Sequence, residues 1–136
     1  MTRYALDTGP LVAFLNRQDS FHDWAHATLD SVRPPLVTCE AVISEACFLL
    51  RHSPAGPDAV FELLHRGILK VDFSLGDNLV YLRKLLTKYR SVPISLADAC
   101  LVRMTELDSA LSVITLDGDF RVYRRLGRQQ IPVIAP

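Results

Sequence analysis

The sequence predicts an α/β fold in which helices cover both faces of a mostly parallel sheet. Short apolar segments alternate along the chain with longer segments that begin at helix-capping residues. This alternation is typical of strand–helix–strand units with parallel strands. The 136 residues, of which 49% are hydrophobic and 22% charged, have the length and composition of one globular domain. We therefore expect residues 1–136 to form a single domain.

The predicted strands are short apolar runs that end close to a polar or turn-forming residue. The last run contains Pro132, which cannot donate a ladder hydrogen bond and therefore indicates an edge strand. In chain order the strands are expected at Arg3–Leu6, Leu36–Val37, Ile68–Phe73, Leu111–Thr115 and Ile131–Ile134.

The predicted helices begin at serine, threonine or proline residues that favour a first turn, and glycine ends two of them. Ser74 with Asp77, and Ser95 with Asp98, have the spacing of capping boxes. In chain order the helices are expected at Pro10–Asn16, Phe21–Leu29 after Ser20, Thr38–Leu50, Pro57–Arg66, Ser74–Tyr89, Leu96–Leu107, and a short basic helix between Asp117 and Gly127.

Composition excludes several classes of protein. No apolar run approaches the roughly 20 residues that cross a bilayer, and Asp7 interrupts the N-terminus too early for a signal peptide. The cysteines are three in number, Cys39, Cys47 and Cys100, and their spacing is not that of a metal site. An odd number of cysteines indicates buried thiols in a reducing cytoplasm. Dinucleotide, P-loop and nucleophile-elbow motifs do not occur in the sequence.

Charge is unevenly distributed although the net charge is zero. Residues 83–136 hold nine of the 15 basic residues but only five of the 15 acidic ones. Such an excess indicates either a surface that faces a polyanion or a solvated helix face. The basic residues near the C-terminus are Arg121, Arg124, Arg125 and Arg128.

Two aspartates come after predicted strands. Asp7 follows the first strand directly, and Asp117 follows the fourth. Carboxyl ends of parallel strands meet at one sheet edge, where ligands bind in such folds, so both side chains are candidates for a site. The alternative is that each aspartate only forms a turn or caps a helix.

Glu45 is predicted to lie on an apolar helix face. At 100° per residue it falls close to Ala41 and Leu49 on the Thr38–Leu50 helix. An unpaired buried carboxylate costs several kcal/mol, so this prediction requires a cation, a metal or a proton nearby. The alternatives are an ion pair with arginine or a side chain that reaches solvent at the edge of the face.

Asp98 stands in the first turn of the predicted Leu96–Leu107 helix. Its spacing from Ser95 favours a capping role, but the same position points toward the sheet edge that holds Asp7 and Asp117. Asp119 either joins this site or caps the next helix. Thr115 shares a strand face with Asp117, where its hydroxyl can hold a water.

Converging carboxylates repel one another, and a hard divalent cation relieves that repulsion. Mg²⁺ and Mn²⁺ prefer oxygen ligands, whereas zinc is not indicated because the histidines lie away from the aspartates in the sequence. His22 and His26 are four residues apart, but no third ligand accompanies them.

Four segments in order resemble the motifs of PIN-domain nucleases, which include the VapC-type toxins of bacterial toxin–antitoxin pairs. They are Leu6–Leu15, Ile43–Leu50, Ser95–Ala99 and Val113–Phe120. The resemblance implies a three-layer α/β/α sandwich and a Mg²⁺- or Mn²⁺-dependent ribonuclease site. It also implies that Thr115 is the hydroxyl residue of the fourth motif and that the acidic site residues are Asp7, Glu45, Asp98, Asp117 and, less centrally, Asp119.

The resemblance further implies metal-assisted hydrolysis of RNA phosphodiester bonds, a homodimer and a cognate antitoxin protein. We hypothesise that the C-terminal arginines guide the RNA backbone. Two alternatives stay open, a non-catalytic PIN-fold module that binds metal, RNA or protein, and a housekeeping RNA-processing nuclease. The apolar stretches Leu11–Leu15 and Ala46–Leu50 are expected to fill the core rather than an interface.

Overall fold

The computed structural model describes residues 2–136, which build a five-stranded, all-parallel sheet with helices packed around it. Strand order across the sheet is β3-β2-β1-β4-β7. A separate antiparallel hairpin pairs β5 with β6. The strands are β1 (Arg3–Leu6), β2 (Leu36–Thr38), β3 (Leu69–Val71), β4 (Leu111–Ile114), β5 (Arg124–Arg125), β6 (Gln129–Gln130) and β7 (Val133–Ile134).

Six α-helices connect and cover these strands. They are α1 (Thr8–Leu15), α2 (His22–Asp30), α3 (Glu40–Leu49), α4 (Gly56–His65), α5 (Leu79–Lys88) and α6 (Leu96–Leu107). Two short 3₁₀ turns, Gly76–Asn78 and Gly118–Arg121, precede α5 and β5. The α/β class, the parallel sheet and the edge position of the last strand are therefore confirmed.

The sheet reverses its winding direction between β1 and β4. From β1 the chain moves outward through β2 to β3, and it then returns to the other side of β1 to form β4. The β1–β4 register pairs Leu6 with Ile114, so the residues that follow the two strands emerge side by side. Ligands bind at this kind of switch point in open α/β sheets.

Helix α6 is the most deeply embedded helix at this edge. Eight of its 12 residues are buried, including Ala97, Ala99 and Leu101 on its first turns. Its start is fixed by Ser95, whose hydroxyl accepts a hydrogen bond from the Asp98 backbone N–H at 3.0 Å. Burial and capping together hold the first turn of α6 rigidly beneath the site.

The start of α3 differs from the sequence prediction. Thr38 does not cap this helix but ends β2, where it pairs with Val71, and its hydroxyl donates to the Leu6 carbonyl at 2.9 Å. Cys39 takes the N-cap position instead, without a side-chain cap. The parallel ladder extends the strand by one residue because it satisfies backbone groups that a helix start would leave free.

The segment after Asp117 also differs from prediction. In place of a short basic helix, the chain forms the 3₁₀ turn and then the β5–β6 hairpin. Leu126 and Gly127 adopt left-handed backbone with φ of 50° and 82°, and the Leu126 N–H donates to Glu106 Oε2 at 2.6 Å. This anchored reversal stops a helix from continuing through residues 122–128.

Candidate active site

An open pocket of about 800 Å³ lies at the carboxyl edge of β1 and β4. Four carboxylates predicted from the sequence contribute to its wall, and so do apolar side chains from α3 and the loops. The lining residues are Asp7, Thr8, Gly9, Ser44, Glu45, Phe48, Leu49, Pro93, Ser95, Asp98, Leu116 and Asp117. The tertiary structure thus brings Asp7, Glu45, Asp98 and Asp117 together.

Close packing between α1 and the loop after β4 shapes the floor of this pocket. A Cβ atom at Gly9 would lie 3.3 Å from the side chain of Leu116, which is tighter than ordinary contact. Gly9 therefore permits the first turn of α1 to approach that loop. The approach keeps Asp7 and Asp117 on the same wall.

Asp7 is held by hydrogen bonds to both carboxylate oxygens. Its Oδ1 accepts from the Thr8 backbone N–H at 2.7 Å, and its Oδ2 accepts from the Thr115 hydroxyl at 2.7 Å. Burial raises the pKa of Asp7 above its usual value, and the charges of Asp117 and Glu45 raise it further, while the two hydrogen bonds oppose the shift. The capping role considered for Asp7 is real, because it is also the N-cap of α1.

Asp98 lies in the first turn of α6 and is 9% exposed. Its Oδ2 accepts a hydrogen bond from the Tyr123 hydroxyl at 3.0 Å. Burial and the charge of Asp7 raise the pKa of Asp98 to about 6, although the Tyr123 hydrogen bond lowers it. Capping and site roles coexist here, because Ser95 binds the backbone of Asp98 and leaves its carboxylate in the pocket.

Glu45 is exposed on the pocket wall, so its predicted position on the inward-packing face of α3 is wrong. The buried residues of α3 are Val42 and Ala46, followed by Leu50 at the C-cap. Its Oε1 accepts a hydrogen bond from the Thr8 hydroxyl at 2.8 Å. The broad apolar face of this helix is divided between the core and the pocket.

The loop after β4 forms a chain of hydrogen bonds. The Thr115 hydroxyl accepts from the Asp117 N–H at 2.9 Å, and Asp117 Oδ1 accepts from the Asp119 N–H at 2.9 Å. The Thr115 hydroxyl therefore binds both the Asp7 carboxylate and the backbone of its own loop. Asp119 is not part of the pocket lining, and it is Asp117 that caps the 3₁₀ turn by accepting the hydrogen bond from the Asp119 backbone.

No basic side chain neutralises the acidic pocket within the part of the chain that the structure describes. The ion pairs found there join Arg3 to Asp72 and Asp108, and Arg103 to Glu106, all outside the pocket. Mutual repulsion therefore contributes to the raised pKa values of Asp7 and Asp98. The site has a negative charge that an external cation would offset.

The donor set fits a hard, oxygen-preferring cation. Histidine and cysteine do not line the pocket; His22 and His26 pack against each other and Phe14 on the α1–α2 side. Residues 2–136 present no ready-made group of three or more His, Cys, Asp or Glu side chains that could hold a metal ion. Carboxylate oxygens, together with waters and substrate phosphates, are the ligands that Mg²⁺ takes in proteins.

The four C-terminal arginines do not share one environment. Arg124 donates to the carbonyls of Arg121, Val122 and Tyr123, and Arg125 donates to carbonyls of α6 and the loop after it. Arg121 lines a smaller pocket with Thr115 and Asp117. Arg121 and Arg128 are exposed, so they are the two with side chains available to a ligand.

Two supporting residues were missed by sequence reasoning. Tyr123 is fully buried, packs edge-to-face on Phe120 and Tyr89, and reaches Asp98 across 25 positions of sequence. Burial raises the pKa of its phenol, which keeps it protonated as a donor. Thr8 stands directly beside Asp7, which is the only signal that pointed to it.

The class of protein follows from the fold, the switch-point pocket and the ordered acidic motifs. The chain belongs to the PIN domain family, whose sequence model matches residues 4–126. That range contains all of the acidic candidates, so the resemblance inferred from the four motifs is confirmed at the level of the family.

A particular solved structure shares this fold. Mycobacterium tuberculosis VapC20, described as a Sarcin-Ricin loop cleaving toxin, superimposes with a TM-score of 0.75 at 21% sequence identity. The match covers 88% of this chain and 93% of the VapC20 chain. Among curated proteins no sequence match was found. Within residues 2–136, no helix is long and apolar enough to cross a membrane.

Proposed function

We propose that this protein is a divalent-metal-dependent ribonuclease. The observation that carries the proposal is a single pocket in which Asp7, Glu45, Asp98 and Asp117 meet without a basic partner among the described residues. Such a cluster is costly for the fold unless it binds a cation. Membership of the PIN domain family supports nuclease chemistry.

In this proposal Asp7, Asp98 and Asp117 hold the cation, and Glu45 holds it directly or through water, with Mg²⁺ or Mn²⁺ as the fitting ions. When bound, a divalent cation would offset the negative charge of the phosphate and would lower the pKa of a water that attacks phosphorus. Asp119 is a weaker candidate because it is not in the pocket lining.

The surrounding side chains orient the carboxylates. Thr115 fixes Asp7, Thr8 fixes Glu45, and Tyr123 fixes Asp98, each through one hydroxyl hydrogen bond. Three such bonds restrict the rotation of three acids before any ligand arrives. We propose that Arg121 and Arg128, the exposed members of the arginine set, contact the RNA backbone.

A toxin role is the biological setting that we favour. The structural likeness to a protein described as a toxin supports it, and a homodimer and an antitoxin partner are part of the same proposal. Free thiols at Cys39, Cys47 and Cys100 agree with the reducing cytoplasm, where such a nuclease would meet RNA.

The deciding experiment is cleavage of a mixed pool of structured and single-stranded RNAs in Mg²⁺, Mn²⁺ or EDTA. We expect cuts in the presence of metal that disappear in EDTA and in Asp98→Asn. Asp58→Asn is the matched control, because Asp58 is an exposed helix-start aspartate outside the pocket. Metal-independent cleavage, or equal activity of Asp98→Asn and Asp58→Asn, would contradict the proposal.

The toxin role has its own test. Induced expression of this chain in its native host should arrest growth, and co-expression of a small protein encoded beside it should restore growth. The Asp98→Asn variant should be harmless when expressed alone. Growth that is unaffected by an active enzyme would instead favour the housekeeping nuclease.

A further inference from the structure

The apolar face of α3 turns toward the acidic pocket as well as toward the core. Phe48 and Leu49 are 62% and 57% exposed, although α3 has a buried face that they could have joined. Both residues line the same pocket as the carboxylates. Exposed apolar side chains are common on this protein, but Phe48 and Leu49 stand out because they line the pocket that holds the carboxylates.

The positively charged side chain of Arg51 contacts the aromatic ring of Phe48. The guanidinium of Arg51 lies 3.8 Å from the centroid of the Phe48 ring, and it donates a hydrogen bond to the Phe48 carbonyl at 2.7 Å. Arg51 itself is exposed. The guanidinium therefore stacks over one face of the Phe48 ring, while the residue as a whole stays exposed.

Spacing on α3 links this pair to the acidic residues. Glu45 precedes Phe48 by three positions and Leu49 by four, and side chains with that spacing are neighbours on a helix surface, about 5–6 Å apart. The pocket therefore has an acidic end that suits a cation and phosphate, and an adjoining apolar end that suits a flat ring. A nucleotide has both of these parts.

We propose that Phe48 and Arg51, flanked by Leu49, form a stacking platform for an unpaired base next to the scissile phosphate. This inference rests on the proposed ribonuclease function and assigns the residues that would hold the base. Bases that are free of a duplex stack on aromatic rings and on arginine planes in this way. A paired base has no free face to offer the ring.

The pocket favours a nucleotide over a protein partner. Its volume of about 800 Å³ lies within the range of small-ligand sites, and its apolar end is continuous with the carboxylates. Arg51 is not in the pocket lining itself, but through its stack on Phe48 it adds a positive charge beside the acidic pocket, which complements a polyanion.

The test measures RNA binding without cleavage, in the Asp98→Asn background with Mg²⁺. The probe is a fluorescein-labelled random-sequence RNA pool of about 12 nucleotides, single-stranded or annealed to its complement. Phe48→Ala should weaken single-stranded binding about 5- to 150-fold, the range for loss of one base–aromatic stack. Phe48→Trp should preserve binding, and duplex binding should change little in either variant.

Phe61→Ala is the matched control. Phe61 is also an exposed phenylalanine, 57% accessible on α4, but it is not in the pocket lining. Its loss should leave single-stranded binding unchanged. Because Phe48 is exposed, thermal melts of both alanine variants should match the parent protein, which separates lost binding from lost folding.

A direct signal comes from Phe48→Trp in a Trp24→Phe background, where the introduced indole is the sole tryptophan. Adenosine 5′-monophosphate should quench its fluorescence, whereas ribose 5-phosphate should not. Equal responses to the two ligands would overturn the platform, because the base would then contribute nothing.

Three other outcomes bear on the stacking platform. Unchanged RNA affinity of Phe48→Ala, with an altered oligomeric state in light scattering, would assign this surface to a second copy of the chain and overturn the inference. Equal losses for single-stranded and duplex RNA would overturn it as well. Failure of the wild-type protein to cleave RNA would contradict the proposed function, while base-selective quenching of the introduced indole would still support the platform.

Discussion

The acidic pocket has two parts that are built in different ways. Its inner part consists of Asp7 and Asp98, which are 6% and 9% exposed and are fixed by hydroxyl groups from distant elements. Its rim is the exposed face of α3 with Glu45, Phe48 and Leu49. Burial of the two carboxylates in the inner part costs free energy of folding. The rim is exposed to solvent and tolerates substitution.

In the function that we propose, the inner part would hold the cation and the rim would contact the substrate. Buried carboxylates with raised pKa values oppose folding, and such groups cluster at functional sites. Exposed residues on a single helix can change without affecting the core. We therefore expect inner-part variants to alter both stability and catalysis, and rim variants to alter catalysis or binding alone.

The largest effect should come from Asp98→Asn. We expect the cleavage rate to fall by more than about 100-fold. Removal of a residue that only hydrogen-bonds a metal ligand usually costs up to about 100-fold, and Asp98 is proposed as a ligand itself. The same change should stabilise the metal-free protein by on the order of 1 kcal/mol at neutral pH, because it removes a buried charge. Cleavage assays and thermal melts in EDTA measure the two effects, and a destabilised variant would contradict the inner-part description.

Tyr123→Phe should come next. It removes the hydroxyl that donates to Asp98 and keeps the ring that packs on Phe120 and Tyr89. We expect about 10- to 100-fold weaker Mn²⁺ binding or activity, with a stability loss of about 1 kcal/mol. Calorimetric titration with Mn²⁺ provides a readout that a merely structural role of Tyr123 would leave unchanged.

Glu45→Gln tests the rim. We expect about a 10-fold loss of cleavage, and a change in stability within about 0.5 kcal/mol because Glu45 is exposed. Glu62→Gln, an exposed glutamate of α4 outside the pocket, is the matched control. If Glu45→Gln lowered the free energy of unfolding as much as substitution of a buried residue does, the distinction between rim and inner part would be wrong.

The smallest effect should appear in the pH dependence of stability in EDTA. Burial raises the pKa of Asp98 from its usual 3.8 to about 6 in the folded protein, so the folded protein binds more protons within this window. Stability of the wild type relative to Asp98→Asn should therefore fall by on the order of 1 kcal/mol as the pH rises from about 4 to about 6. Denaturant unfolding at several pH values measures this difference in the free energy of unfolding. An increase of the difference with pH would contradict a raised pKa of Asp98.

Local sequence signals predicted much of the fold and part of the site. The strands at Arg3–Leu6 and Leu111–Thr115 and the helix at Leu96–Leu107 were close to the observed bounds. Capping of α6 by Ser95 was also correct. These features depend on neighbouring residues and on apolar periodicity, which the sequence displays directly.

Periodicity was misleading for α3. Helix geometry placed Glu45 in an apolar face but did not show that Phe48 and Leu49 of the same face line a pocket. The expectation that Ala46–Leu50 fills the core is accordingly right for Ala46 and Leu50 and wrong for the two exposed residues. Which side of a helix meets the core depends on where the sheet lies, and that is a tertiary property.

By itself the sequence determined the α/β class, the order of the acidic motifs and the family to which they belong, because these follow from residue type and spacing. The hydrogen bonds that orient the acids depend on tertiary contacts. Thr115 reaches Asp7 across 108 residues, and Thr8 reaches Glu45 across 37. Such contacts exist because β1 pairs with β4 and α1 packs on α3, and no local pattern encodes which hydroxyl will face which carboxylate.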